Sequence, residues 1–503
     1  MKINLIVAVD SKDGISKNGE IPWDIKEDMN FFQDVTKRNY GPSGIILRNV
    51  LIMGKNTWEK LPYAARGLKD RITIIVSSTM TDSQLETENT TKSEVYLSKS
   101  LNNAIEMCQD WKNHCGKVFV CGGGGIYREA IKNLNSIIDE IYITRIDKDY
   151  DCDNLVLGLD YVNLNYNAYC CYSSKTFQVV DKKTGEDVTV HFKKYGRSEL
   201  DTHLKTNPQE KQYLDLLENI LTTGHFRQTR NSKTWSTFGK SMEFDLSKGF
   251  PILTTKRVFF RGVFEELLFF LKGDTNSKHL SDKGVKIWEG NSTRQFLDSV
   301  GLNHYQEGDI GAMYGYQLKH FNAPYFGCDK DYTGQGVNQI EYCLDLLKTD
   351  PYSRRILMTT FNPAQAKEGV LFPCHGISIM FHVDEAFKLS CMMFQRSSDC
   401  QLGLPFNINS YSLLLFMMCE VLNNDPTYTG PKFSPGRLIM TLGDAHIYED
   451  HKEQCIRQIL REPYEFPQLI FKRKVTDLTD FKFEDLELVN YNCYPNIPAK
   501  MSA

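Results

Sequence analysis

The sequence predicts two domains: an α/β domain on a mostly parallel central sheet over residues 1–197, then an α+β domain over residues 209–503. Three observations carry that expectation. At 503 residues the chain exceeds what one hydrophobic core ordinarily organises, and longer chains split into domains. Over the first 197 residues short apolar runs alternate with helical stretches, the pattern of a parallel sheet covered by helices. Beyond residue 209 the periodicity changes to long apolar helices with strands between them.

The chain opens on a buried-strand run, Ile3 to Val9, and continues into a turn-rich stretch carrying Gly14, Gly19 and Pro22. A helix is expected next. Asp24 can cap it, Glu27 stands three residues on as a capping-box partner, and Ile25, Met29 and Phe32 mark an apolar stripe. Further strands read as NVLIMG, ITIIVSS, VFVCGG and EIYITRI, with helical stretches near Thr57–Leu61 and Leu101–Trp111. Residues 176–195 place the turn DKKTGED between two β-rich runs, a terminal hairpin that closes the first domain near Gly196. Residues 198–208 are polar, aperiodic and end in Asn-Pro, which reads as a linker. Helical periodicity resumes with QYLDLLENILTTG, where Gly224 supplies the stop. The runs VFEELLFFLKG and YSLLLFMMCEVLNN predict the longer helices of the second domain.

Composition excludes several classes. Hydrophobic residues at 41% and charged residues at 24% belong to a globular chain, not a disordered or fibrous one. A net charge of -4 gives no electrostatic case for nucleic acid as the main partner. A few arginines still suffice to hold one phosphate. The apolar run at the N-terminus ends at Asp10, too short for a secretory signal, and no stretch approaches the roughly 20 apolar residues that cross a bilayer. The 14 cysteines form no CxxC pair and no zinc spacing, so no metal is expected. They read as mostly buried thiols in a reducing compartment, with the cytoplasm as the expected location.

Two local patterns in the first domain carry chemistry. Helical spacing places Asp28 beside the apolar face that holds Phe31 and Phe32. A carboxylate held against such groups has a raised pKa and can bond a heterocycle or feed a proton. Spacing alone favours the bland alternative, a solvated helix aspartate. VFVCGGGG, residues 118–125, runs from a strand into the helix IYREAIKNL, and glycines there let backbone approach a ligand while the free amides favour a phosphate. It lacks the GxGxxG spacing of the Rossmann motif.

Taken together, Ala8, IPWDIKEDMNFF, IMGKNTWEKLP, LKDRITIIVSS, VFVCGGGGIY and YITRID closely resemble dihydrofolate reductase over residues 1–197. The resemblance implies an NADPH-dependent reductase. It implies that Asp28 binds the pteridine and assists protonation, with Thr144 as its partner. Ala8, Phe31, Phe32 and Leu68 match pocket walls, and Arg71 matches the arginine that pairs with the folate carboxylate. Gly54, Lys55, Thr57, Ser77, Ser78, Gly122, Gly123, Gly124, Gly125, Ile126 and Tyr127, with Ala8, match cofactor contacts. A cis peptide is implied between Gly122 and Gly123, and Trp23 is placed on the mobile-loop side of the site. The segment PYAARG, residues 62–67, departs from the family's wording.

In the second domain, LFPCHG sets Cys374 between a proline and His375. A lone cysteine among 14 is ordinarily core. Around this one stand FQRSSDCQLGLPFNINSY, LGDAHIYEDH and DPYSRRILMTTFNP, which supply arginines, an aspartate, an asparagine and a histidine. Arginines near a thiolate favour its anionic form and bind phosphate, which suits a nucleophilic cysteine acting on a phosphorylated substrate. Solvated surface arginines are the bland alternative.

These blocks closely resemble thymidylate synthase over residues 209–503. The resemblance implies that Cys374 attacks dUMP and that Glu266 organises waters and proton transfer. 5,10-Methylenetetrahydrofolate is the implied cosubstrate and leaves as dihydrofolate. Arg230, Arg396 and Ser397 match the phosphate clamp, and Arg354 and Arg355 match a pair donated across a dimer interface, so a homodimer is expected. His375, Gln395, Asp399 and Asn407 match positions around the uracil, with His446 and Tyr448 at the sugar. Trp288 and Tyr314 match folate-pocket and proton-network positions. The C-terminus at Ala503 matches the flap that closes over the ligands. Ser232, Glu289, Leu318, Lys319, Phe361 and Met380 depart from the family's usual residues. A rival from another class is an RNA-holding scaffold, which the charge and the absence of basic–aromatic tracts disfavour. A middle case keeps the synthase half only for assembly.

Overall fold

The computed structural model describes residues 1–37, 47–61, 66, 68–88, 94–111, 114–156, 169–197, 207–229 and 232–500. The chain separates into two compact units, Met1–Lys205 and Thr206–Ala503. Arg230, Ala503, residues 198–206 and all of PYAARG except Arg66 lie outside the described residues.

The first unit is an eight-stranded sheet. Its order is Val95–Ser98, Ile72–Val76, Arg48–Gly54, Cys115–Val120, Ile3–Val9, Ile138–Ile146, Glu186–Arg197 and Tyr169–Asp181. The first six strands pair in parallel, and the last two join them antiparallel. Central strands are buried along nearly their whole length, which is why they read as unbroken apolar runs. The hairpin strands are longer than the sequence suggests, and the outer one is largely exposed, as a polar edge strand should be. The strand Val95–Ser98 and the helix Asp82–Glu88 before it escape the sequence reading. Both are short, and VYLS has too few residues to establish a period.

The first helix, Lys26–Lys37, differs from expectation at its start. The Ile25 carbonyl accepts its first bond, from Met29 N at 3.3 Å. Asp24 therefore lies one residue outside the cap, where its own N–H donates to Asp181 Oδ1 at 2.9 Å. Met29 is 48% exposed, which breaks the expected stripe. The inward face is centred instead on Phe31, whose ring meets Phe192 edge-on at 5.2 Å and Tyr142 at 6.3 Å.

The second unit begins inside the expected linker. Asn207 accepts from Gln209 N and Glu210 N, and Pro208 takes the first helical position of Pro208–Thr223, where its missing N–H costs nothing. The helix ends as the backbone turns extended at Gly224 (φ -71°, ψ 155°), where a Cβ would stand 2.3 Å from the Ile220 carbonyl oxygen. The six-stranded sheet runs His225–Gln228, Lys233–Asp245, Ser434–Tyr448, Lys388–Asp399, Ser378–Val383 and Leu357–Met358. Only the pair Lys388–Asp399 and Ser434–Tyr448 is parallel. Gly403–Asn424 is buried almost all round, a core helix with a weak amphipathic stripe. The strand Lys388–Asp399 alternates, turning Leu389, Cys391, Met393 and Gln395 inward and Met392 and Phe394 outward. Among the described residues no helix is long and apolar enough to cross a membrane.

Phe192 is 1% exposed and supports the helix that carries Asp28. Phe192→Ala is expected to lower the unfolding free energy of the first unit by about 3–5 kcal/mol, read from urea denaturation.

Candidate active sites

Parallel strands deliver their carboxyl ends to one edge of a sheet, where α/β folds bind ligands. In the first unit that edge gathers the sequence-predicted residues. Ala8 pairs with Thr144, Gly54 pairs with Val76 just before Ser77, and Ile52 pairs with Val120 just before Cys121.

Asp28 keeps some exposed surface, but its carboxyl is enclosed. Burial raises its pKa to about 6, and a side-chain hydrogen bond with Thr144 pulls the other way. Phe31 is buried and Phe32 half-buried. Arg71 is 5% exposed. It donates through Nη1 to Thr36 Oγ1 at 2.8 Å and through Nε to the Leu68 carbonyl at 3.2 Å. Its guanidinium lies 5.9 Å from the Phe32 ring centre, and burial lowers its pKa to about 10. Among the described residues no carboxylate lies within ion-pair distance of it, although the charge of Asp70 acts on it from further off.

The glycine turn forms a second subsite. The Gly54 N–H donates to the Gly122 carbonyl at 2.9 Å, and the Gly122–Gly123 peptide is cis. A Cβ at Gly122 would stand 2.8 Å from Thr57 Cγ2 at a φ of +152°, while Gly125 faces open space. The helix Gly124–Asn133 starts with no side-chain cap, which leaves its first amides available to an anion. Lys55 stands 3.5 Å from Glu59. Ser77 is buried and caps Met80 N at 3.0 Å, while Ser78 is exposed. A Cβ on Gly54 would stand 3.3 Å from Ile126 Cγ1, so these two segments touch. Tyr127 does not project into the cleft with a free hydroxyl, since it donates to the Ile6 carbonyl at 2.7 Å. Trp23 is buried against Tyr150, with ring centres 5.2 Å apart. The sequence reading missed Cys121. Its Sγ donates to the Ile52 carbonyl at 3.5 Å, and burial pushes the thiol up to about 12.

In the second unit Arg396 builds the loop around Cys374. Its backbone N–H donates to the Cys374 carbonyl at 2.8 Å. Its Nε donates to the Pro373 carbonyl at 3.2 Å, and its Nη2 to the Phe372 carbonyl at 3.3 Å and to Cys374 Sγ at 3.7 Å. The guanidinium also lies 5.0 Å from the Phe372 ring centre, and Phe372 packs on Phe361 at 5.2 Å. Phe361, a departure from the resembled family, thus supports the arginine through one intervening ring. The Cys374 N–H donates to the Tyr314 hydroxyl at 3.0 Å.

His375 stacks on Tyr314 at 4.4 Å and lies 3.0 Å from the Tyr411 hydroxyl through Nδ1. Burial drives its pKa down to about 3, so the imidazole is neutral near pH 7. Glu266 is 8% exposed. Burial raises its carboxyl to about 7, opposed by Trp288 Nε1, which donates to Oε1 at 2.9 Å. Asp399 Oδ1 accepts from Gln401 N and Leu402 N at 2.9 and 3.2 Å. That turn leads into the helix whose first turns hold the buried Asn407. Gln395 is also buried, with Nε2 donating to the Ser397 carbonyl at 3.2 Å.

Parallel register sets Asp399 beside His446 and Ser397 beside Asp444. Asp444 holds His446 Nδ1 at 3.0 Å and accepts from Arg227 at 2.6 Å. Arg227 and Asp444 are therefore positioning residues that the motif reading passed over. Tyr448 meets His446 edge-on at 5.2 Å. Arg354 and Arg355 are exposed, and among the described residues their side chains join none of these groups.

A dihydrofolate reductase family model matches residues 2–197, and a thymidylate synthase family model matches residues 211–503. The two folds and their sites define an enzyme that joins an oxidoreductase unit to a methyltransferase unit in one chain. A bifunctional dihydrofolate reductase-thymidylate synthase of Paramecium tetraurelia is 37% identical over 99% of this chain and 98% of its own length. Those of Zea mays and Leishmania major are each 36% identical, over 99% of this chain and 96% and 95% of their own lengths. The chain belongs to the bifunctional dihydrofolate reductase–thymidylate synthase family and has both enzymatic activities. Nothing in these matches favours a synthase half kept only for assembly.

Trp288 donates to the ionised form of Glu266 and so lowers its pKa. In Trp288→Phe that bond is lost, and the Glu266 midpoint is expected to rise above about 7. The matching limb of the synthase pH–rate profile should move to higher pH.

Proposed function

We propose that the second unit methylates dUMP to dTMP with 5,10-methylenetetrahydrofolate, and that the first reduces the dihydrofolate so formed with NADPH. The observation that carries the synthase half is the Arg396 guanidinium 3.7 Å from Cys374 Sγ, with neutral His375 and half-titrated Glu266 nearby. A cation beside the sulfur favours the thiolate, the form that adds to the C6 position of the pyrimidine. The added electron pair makes C5 nucleophilic toward the folate methylene. C5 then loses its proton as the folate amine departs. The exocyclic methylene takes a hydride from that folate as the sulfur leaves C6, giving dTMP and dihydrofolate. Glu266, poised near neutral pH, can take and return protons through water. Neutral His375 can bond a carbonyl without adding charge. Asn407 reads the uracil edge, and Arg396, Ser397 and Arg230 hold the phosphate, with Asp399, Gln395, His446 and Tyr448 completing the nucleotide site.

The first unit fits NADPH. The cradle at Gly122 has no room for a side chain, and the uncapped helix start beside it suits a phosphate. Lys55, Thr57, Ser77, Ser78 and Gly122–Gly125 would hold the cofactor, which supplies a hydride when bound. Arg71 binds the folate carboxylate, and Ala8, Phe31, Phe32 and Leu68 wall the ring. Asp28 holds the pterin and, when protonated, supports proton delivery.

A homodimer is the proposed assembly. Met392 pairs in register with Met380 and Ile439 on the outward face of the six-stranded sheet. Met392 and Phe394 are exposed there, an apolar face that suits a second copy. Arg354 and Arg355 are exposed and available to the partner's site. All 14 cysteines are free thiols, which suits the cytoplasm. The proposed linker is the polar segment that starts at residue 198 and ends at the Asn207 cap of the helix Pro208–Thr223, after a first domain spanning 1–197.

NADPH oxidation by the full chain, given methylenetetrahydrofolate and then dUMP, tests the reading. Absorbance at the NADPH band should fall only after dUMP is added, and a chain that reduces added dihydrofolate but ignores dUMP would refute the synthase half. Cys374→Ser is expected to lower dUMP-dependent turnover by at least about 10⁴-fold while leaving reduction of added dihydrofolate intact. The reductase rate should fall as pH rises through about 6, where Asp28 loses its proton. In Asp28→Asn that limb should disappear, together with most of the activity.

A further inference from the structure

Residues 491–500 have no regular secondary structure, yet Cys493, Tyr494 and Ile497 are buried. Two separate anchors hold this tail. The first acts on its beginning. Tyr491 Oη donates to the Leu253 carbonyl at 2.8 Å, and Tyr494 N donates to the Thr254 carbonyl at 2.8 Å. Arg461 Nη1 bridges the carbonyls of Thr255 and Pro495 at 2.6 and 3.1 Å, with its guanidinium 4.9 Å from the Tyr494 ring centre. Glu210 keeps the ledge in shape by accepting the backbone and hydroxyl hydrogens of Thr254 and Thr255.

The second anchor is one side chain. His451 is fully buried, and its Nε2 lies 2.7 Å from the carbonyl oxygen of Lys500. A carbonyl only accepts, so Nε2 donates to it; Asp450 Oδ1 also lies 3.9 Å from Nε2. Nδ1 is buried and has no partner among the described residues. The described hydrogen bond of the ring therefore goes to the tail. It also meets Tyr448 edge-on at 5.6 Å, and Tyr448 in turn meets His446 edge-on at 5.2 Å. A short run of touching rings thus links the end of the strand Ser434–Tyr448 to the backbone of Lys500.

We infer that His451 is a positioning residue that registers the C-terminal tail against the nucleotide end of the strand Ser434–Tyr448. Nucleotide bound at His446 and Tyr448 restrains those rings, and through His451 it restrains the tail. The inference rests on the reading of His446 and Tyr448 as nucleotide contacts. The donor is what matters: glutamine at 451 offers an N–H at a similar reach, and leucine offers bulk without one.

Hydrogen exchange of the tail amides, followed by mass spectrometry on the full chain with and without dUMP, tests it. In the wild type dUMP should slow exchange over residues 491–503. In His451→Leu tail exchange should quicken about tenfold, one lost hydrogen bond, and lose its response to dUMP. His451→Gln should keep most of both. KM for methylenetetrahydrofolate should rise in His451→Leu and return in His451→Gln, with reductase activity unchanged in each. Tail exchange unaltered in folded His451→Leu would overturn the inference, as would equal loss in the two variants. Should His451→Leu not fold, the wild type decides: a tail indifferent to bound dUMP overturns the coupling. Absence of dUMP protection at residues 395–399 would instead overturn the nucleotide reading, while tail exchange in the ligand-free variants still decides the anchor.

Discussion

A carboxylate taken out of water must find donors or keep its proton, and this chain uses both outcomes. Glu210 is fully buried, and the amides and hydroxyls of Thr254 and Thr255 engage its two oxygens. Its acceptor capacity goes into shaping a loop. Asp28 and Glu266 are enclosed as well, but each has one named side-chain donor, Thr144 and Trp288 respectively. With so little compensation their pKa values rise to about 6 and about 7, into the range where a group can exchange protons at physiological pH. Burial raises the Glu210 carboxyl too, against the pull of the threonine donors; its oxygens are committed to a loop, whereas Asp28 and Glu266 each spend themselves on one named donor.

Sheet geometry supplies one of these donors. Thr144 faces Asp28 because the register sets it beside Ala8 and Phe192, and Phe192 supports Phe31 on the helix that carries Asp28. In the second unit the single parallel pair does similar work. It sets Ser397 beside Asp444 and Asp399 beside His446, so one strand pair carries most of the residues proposed to meet the nucleotide. Arg396 on the same strand reaches back to the Cys374 loop with its backbone and its side chain. One residue therefore both shapes the loop and sets the charge beside the sulfur.

Burial also separates residues that look alike in the sequence. His375 and His446 both lie in motif segments, yet one is neutral and stacked on Tyr314. The other is held by Asp444, which Arg227 pairs in turn. Likewise Cys374 has a guanidinium at its sulfur, while Cys121, Cys391 and Cys455 sit where burial keeps the thiol protonated. Chemistry is assigned by the environment of each atom.

The sequence by itself determined the two-domain order, the central strands and the motif residues. Apolar runs and motif spacing are local and survive in one dimension. It also marked Asn207-Pro208 and Gly224 as punctuation, although the linker reading placed Pro208 one element too early. It erred where a side chain's direction depends on a partner: Met29 faces solvent because Phe31 takes the inward place, and Asp24 is drawn to Asp181, far along the chain. Only the tertiary structure decided which carboxyls lose water and which arginine reaches the thiol. It alone revealed Arg227 and His451, and it alone showed what Phe361 packs on. Those facts depend on distances between residues remote in sequence, which strand register and packing set and no local pattern encodes.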